Sequence, residues 1–194
     1  MNVVRAFIAI DVSPAIQEQL QHVCEHLDSV LQGLPVRWIP IQNVHLTLKF
    51  LGDVSETSLA HINEALTTAG TAHKPFELSV GGLGVFPSAH RPRVIWVGVE
   101  TNDECFDFCR RIEIDMERLG YAAEKREFSA HLTIGRVSRG ASRQEVRAIG
   151  TALRKEKQGF LGAERVEAVH LYKSDLKPSG AVYTKLFSAP LSGA

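Results

Sequence analysis

The chain has 194 residues, a length that suits one domain or two small lobes sharing a core. Its 22 basic and 22 acidic residues give zero formal charge. That balance argues against a protein that coats long nucleic acid through non-specific phosphate contacts, while leaving room for a local pocket that grips one or a few phosphates. An apolar share of 44% is ordinary for a soluble globular protein. Cys24, Cys105 and Cys109 are odd in number and follow no secretory leader, so they read as packing residues and not as a disulfide framework. Met1 to Asp11 is too short and too soon charged for a signal peptide or a membrane span, which makes the cytoplasm the expected compartment.

Phe7 to Ile10 reads as a buried strand. Ser13-Pro14 opens a helix, with serine as N-cap and proline at the first helical position. Its apolar stripe is Ile16, Leu20, Val23, Leu27 and Val30, and Gly33 is its stop. His22 and His26 stand four apart on that helix without a third metal ligand, so they read as a solvated face. A loop through Trp38 and Pro40 leads to a strand that starts at Val44 and ends near Gly52. Ser55 caps a second helix that buries Leu59, Ile62 and Leu66 and closes at Gly70; His61 is on its surface. Phe76, Leu78 and Val80 alternate with polar residues as a half-buried strand.

The run Gly81-Gly82-Leu83-Gly84 lacks the Gly-Lys-Ser/Thr ending of a phosphate loop and reads as a bend, with Phe86-Pro87 as loop. Val94 to Val99 is another buried strand. Thr101-Asn102-Asp103-Glu104 has the capping-box pattern of a third helix, ended by Gly120. A polar loop through Arg126 and Phe128 follows, then a strand over 130–136. Ser142-Arg143-Gln144-Glu145 is a second capping box and opens a fourth helix. Val166 to Tyr172 and Ala181 to Phe187 are the last two strands. The order is twice β-α-β-α-β, then one more strand. It predicts an α+β fold: one bilobal, pseudo-symmetric domain over 1–194, with two antiparallel sheets facing across a central cleft and helices outside.

Two of these strands carry the same words. His45-Leu46-Thr47-Leu48 and His131-Leu132-Thr133-Ile134 lie 131 − 45 = 86 residues apart. Side chains alternate along a strand, so His45 and Thr47 should share one face, and so should His131 and Thr133. Two imidazoles near neutrality allow one ring to take a proton while the other gives one. Opposed across a hollow, they suit in-line displacement at phosphorus: one activates a nucleophile and the other protonates the leaving oxygen. The threonine hydroxyls can hold the non-bridging oxygens. Arg136 is the leading candidate for added positive charge, with Arg5 and Lys49 behind it. Metal catalysis would want a third ligand, and no Asp, Glu or Cys recurs at matched positions near both motifs. No cofactor is called for.

The two tetrapeptides resemble the signature motifs of the two-histidine (2H) phosphoesterase superfamily. More narrowly, the chain resembles the bacterial and archaeal RNA 2′,3′-cyclic phosphodiesterases of the LigT/ThpR group, often labelled 2′-5′ RNA ligases. The resemblance extends over Arg5 to Ile10, Asn43 to Gly52, Gly81 to Phe86 with Arg91 to Val99, and Leu171 to Ser174 with Tyr183. It departs at Ala130, where relatives often have proline. The resemblance implies a bilobal fold and metal-independent opening of a 2′,3′-cyclic phosphate at an RNA end to a 2′-phosphate. It implies that His45 is the proton donor and His131 the proton acceptor, that Thr47 and Thr133 hold the phosphate, and that Arg136 matches the family's arginine. Reversible 2′-5′ joining is associated with the group. A monomer acting on RNA ends or oligonucleotides, away from membranes, is the expected form. Two other readings are a phosphodiesterase for a small nucleotide such as ADP-ribose cyclic phosphate, and an RNA-binding module without chemistry.

Overall fold

The computed structural model describes residues 3–124, 127–177 and 180–193; the loop position Arg126 lies outside the described residues. Among the described residues, nine strands and four helices follow in the order β1 (Val3–Asp11), α1 (Pro14–Val30), β2 (Val36–Trp38), β3 (His45–Ser55), α2 (Leu59–Ala72), β4 (Phe76–Phe86), β5 (Val94–Glu100), α3 (Asp103–Arg118), β6 (His131–Val137), α4 (Arg143–Leu153), β7 (Phe160–Val166), β8 (Ala168–Lys177) and β9 (Gly180–Pro190). No helix among the described residues is long and apolar enough to cross a membrane.

The strands form two four-stranded antiparallel halves, β7-β4-β5-β6 and β3-β1-β8-β9. They meet where β3 and β6 touch, through the single pair Leu46 and Leu132, with β2 added on β6. The expected two lobes are therefore present and hydrogen-bonded into one curled sheet. Leu46, Leu132, Ile134, Ile8, Ile10, Ile95 and Val97 turn to the core face, where the helices cover them; all are at most 3% exposed.

Local chemistry explains most element ends. Ser13 caps α1, with Pro14 in the first turn, and its N–H donates to buried Glu164 on β7 at 2.7 Å. Asn102 caps α3 by accepting from the Cys105 N–H, in place of the expected start at Thr101. The Ser142/Glu145 capping box forms as read. Ser55 instead precedes a 3₁₀ turn over Glu56–Ser58, and α2 begins at Leu59. Gly70 lies inside α2 because its bare Cα lets the Pro190 carbonyl pack against the helix.

Three expectations are revised. The glycines at 81–84 are not a bend: β4 runs through them to Phe86, absorbing an irregularity between Gly81 and Leu83, with Gly82 at φ +76°. The Trp38 loop contains the short strand β2. The strand expected from Val166 is preceded by β7, a separate edge strand paired to β4, whose Gly162 and exposed Phe160 hide its periodicity.

Candidate active site

The Leu46–Leu132 pair fixes the relation between the two motifs. In an antiparallel ladder this register sets His45 against Thr133 and Thr47 against His131. The two histidines become diagonal neighbours, roughly 7–8 Å apart in an undistorted ladder. All four side chains point away from the leucines and are half-buried. A pseudo-twofold axis passes between them, and charge on His131 is felt at His45.

The rings are anchored in the same way. His45 Nδ1 is 2.8 Å from the carbonyl oxygen of Asn43, and His131 Nδ1 is 2.7 Å from that of Ser129. A carbonyl only accepts, so each Nδ1 carries the proton and, in the neutral ring, each Nε2 is the unprotonated nitrogen. The Ala130 carbonyl accepts from the Val99 N–H at 3.2 Å, which pins the entry to β6 without a proline.

Both motif strands then bulge. Ala9 pairs with Thr47 but Ile8 with Lys49, so Leu48 is the extra residue. Trp96 pairs with Thr133 but Ile95 with Gly135, so Ile134 is extra. Each bulge reverses the alternation that follows. It brings Arg136, paired with Val94, onto the face of His131 and Thr133, and its charge reaches His45. On the other lobe Phe50 takes the matching place and is 68% exposed. The same reversal sends Lys49 to the core face, where it is 4% exposed. There it donates to Glu113 at 2.6 Å and to the Ala122 carbonyl at 2.9 Å. Lys49 is thus removed from the candidates for the site. Arg5 is exposed at the far end of β1, opposite Asp53. His26 pairs with Glu156 at 2.7 Å on the surface.

Around His45 stands an aromatic frame that sequence reasoning did not single out. Phe7 stacks on the imidazole at 4.7 Å between centroids, Tyr172 stacks on Phe7 at 5.4 Å, and Tyr183 meets His45 edge-on at 5.2 Å. Phe86 meets His131 edge-on at 4.9 Å, and Trp96 lies beyond at 6.2 Å. Phe7 sits in an unbroken apolar run, which hides which of its neighbours face the cleft. Asp11 is the cross-strand neighbour of His45. It accepts from Tyr172 Oη at 2.5 Å and from Lys185 Nζ at 2.6 Å, with His170 Nε2 at 3.5 Å. Asp11, Asn43, His45, Tyr172 and Tyr183 line one shallow hollow.

Electrostatics follow from these neighbours. Burial pushes the His45 pKa below its usual value; the Asn43 carbonyl and Asp11 pull it back up, and Arg136 and His131 lower it further. Burial alone would raise the Asp11 carboxyl, but the hydrogen bonds from Lys185 and Tyr172 hold it below the ordinary carboxylate value. The Tyr172 phenol is pushed up by burial and by Asp11. Among the described residues, no group of three or more His, Cys, Asp or Glu is placed to hold a metal ion.

Residues 10–96 match the family described as LigT like phosphoesterase. The chain is 33% identical to a protein named RNA 2′,3′-cyclic phosphodiesterase from Methanothermobacter thermautotrophicus, over 94% of this chain and 96% of that one. It is 36% identical to one of the same name from Archaeoglobus fulgidus, over 94% and 97%. Among solved structures, a Thermus thermophilus protein superposes with a TM-score of 0.81 at 24% identity, covering 97% of this chain and 98% of that one. E. coli LigT complexed with 3′-AMP gives 0.77 at 23% identity, over 98% and 99%. These last two show a shared fold. With the paired His-x-Thr strands, and with relatives matched along almost their whole length, the chain belongs to the LigT-like phosphoesterase family.

Proposed function

We propose that this protein hydrolyses RNA 2′,3′-cyclic phosphate ends to 2′-phosphomonoesters, acting as an RNA 2′,3′-cyclic phosphodiesterase through two histidines and without a metal ion. The observation that carries the reading is the matched anchoring of two imidazoles on paired strands, each with Nδ1 on a carbonyl two residues upstream, which leaves Nε2 as the nitrogen open to a substrate. The names of the full-length relatives support RNA ends over a small cyclic nucleotide as substrate.

In this reading the cyclic phosphate lies between the rings. His131 Nε2 takes the proton of a water whose oxygen attacks phosphorus. The P–O3′ bond breaks, its electron pair goes to O3′, and His45 Nε2 supplies the proton. Thr47 and Thr133 hydrogen-bond the non-bridging oxygens, and Arg136 balances the charge that builds there. Burial keeps free His45 neutral more readily than usual, and the arriving phosphodiester anion favours its protonation. With a 5′ hydroxyl in place of water as the nucleophile, the same groups would open the cyclic phosphate to a 2′-5′ phosphodiester: His131 takes the hydroxyl proton, the P–O3′ bond breaks and O3′ leaves with the proton from His45. Since the two motifs come from different lobes, the working unit is the whole chain, taken here as a cytoplasmic monomer.

The test uses an oligonucleotide with a 2′,3′-cyclic end. His45→Ala and His131→Ala should each remove turnover by about 10²–10⁴-fold with unchanged circular dichroism. The product should be the 2′-phosphate, and chelator should have no effect. Retained turnover in the double variant would sink the reading.

A further inference from the structure

The pseudo-twofold axis that relates the two histidines is broken where Arg136 is matched by Phe50, and again at the position directly across the ladder from each histidine. Matching the strands outward from the Leu46–Leu132 pair sets β1 against β5. His45 faces Asp11, and at the corresponding position His131 faces Gly98. No side chain can be added at Gly98, because a Cβ there would come within 2.8 Å of the Gly81 carbonyl oxygen. One lobe therefore carries a fixed carboxylate next to its histidine, and the other is sterically barred from carrying one.

We infer that Asp11, clamped by Tyr172 and Lys185, is the positioning residue that biases the catalytic proton onto His45 and so makes His45 the acid and His131 the base. This rests on the two-histidine reading above. The two rings are anchored alike, and a carboxylate directly across the ladder from only one of them stabilises the imidazolium there. The charged and titratable groups facing His45 are Asp11 from β1, His131 and Arg136 from β6, Tyr172 from β8 and Tyr183 from β9. Of these, only Asp11 favours a proton on the ring. Its own ionised state is secured by the Lys185 ammonium and the Tyr172 hydroxyl, with His170 behind it, itself held by Ser188 at 2.9 Å.

The experiment compares two leaving groups. Asp11→Asn keeps the size and an acceptor for Tyr172 but removes the charge. Across the cross-strand pair, that charge raises the affinity of His45 for its proton, and its removal lowers it. At pH 7.5 and above, kcat/KM on a 2′,3′-cyclic nucleotide should fall about 3- to 10-fold. On the analogue with sulfur at the 3′ bridging position, whose thiolate leaves without a proton, the loss should stay under about twofold. The His45 ring titration, followed by NMR, should move down. Lys185→Met should move His45 the other way, since it unmasks the Asp11 charge. An equal loss on both substrates, no loss on either, or Asp11→Asn and Lys185→Met shifting His45 in one direction would overturn the inference. Failure of the wild-type protein to turn over either substrate would instead overturn the proposed function.

Discussion

Lys49 offers the sharpest check on the register of the motif strand. A strand without the Leu48 bulge would set Lys49 on the face of His45 and Thr47, where it would serve the phosphate. With the bulge, its ammonium is buried against Glu113 and the Ala122 carbonyl. Glu113→Gln would leave that cation with neutral partners only. Breaking a fully buried pair costs about 3–5 kcal/mol. The Glu113 side chain is 29% exposed, so water takes over part of its role, and we expect roughly 1.5–3 kcal/mol. For a chain of this size that lowers Tm by about 3–12 °C. Lys49→Met removes the buried charge and keeps the stem, so stability should change by no more than about 1 kcal/mol. Glu113 would keep its hydrogen bond from the Glu124 N–H at 2.8 Å. Scanning calorimetry of both variants, beside kcat/KM on a cyclic-ended oligonucleotide, reads both quantities. Activity of Lys49→Met should stay within about threefold of wild type, as expected of a residue on the far face of the sheet. A large loss of activity in Lys49→Met at unchanged Tm would refute the argument.

Thr47→Val and Thr133→Val should each lower kcat/KM by roughly 10- to 100-fold with little change in Tm, since each removes the hydroxyl that the proposed mechanism sets on the phosphate and keeps the volume. Steady-state kinetics on the cyclic-ended oligonucleotide checks this. Gly84→Ala would drive a methyl group into the Trp96 ring, which lies beside His131. We predict a loss of about 1–3 kcal/mol and a fall in kcat, measured by urea unfolding and by turnover. His45 and His170 both have pKa values depressed, chiefly by burial. The unfolded chain therefore takes up protons first, so their contribution is present above about pH 6.5 and is lost as pH falls through the folded values. Urea unfolding at pH 7.5 and pH 5.5 should show this loss, and His170→Asn should reduce it.

The helices were legible because their signals are local. Ser13-Pro14 and Ser142 to Glu145 act within one turn, and the apolar stripes of α1 and α4 repeat at helical spacing. The edge strand β7 and the passage of β4 through Gly81–Gly84 were not, since glycine-bearing strands show no alternation and their partners lie far along the chain. Asp11 was invisible as a site residue for a similar reason: its meaning comes from His45, Tyr172 and Lys185, each on a different strand.

By itself the sequence determined that two His-x-Thr strands exist, that each shows a histidine and a threonine on one face, and that the family resemblance carries a two-histidine chemistry. Only tertiary structure decided that Leu46 pairs with Leu132, that both strands bulge one residue past the threonine, and that Arg136 joins the site while Lys49 leaves it. The physical reason is parity. A strand's side chains change face at every residue, so a single extra residue reverses all that follow, and that insertion is imposed by neighbouring strands and not by the words of the motif.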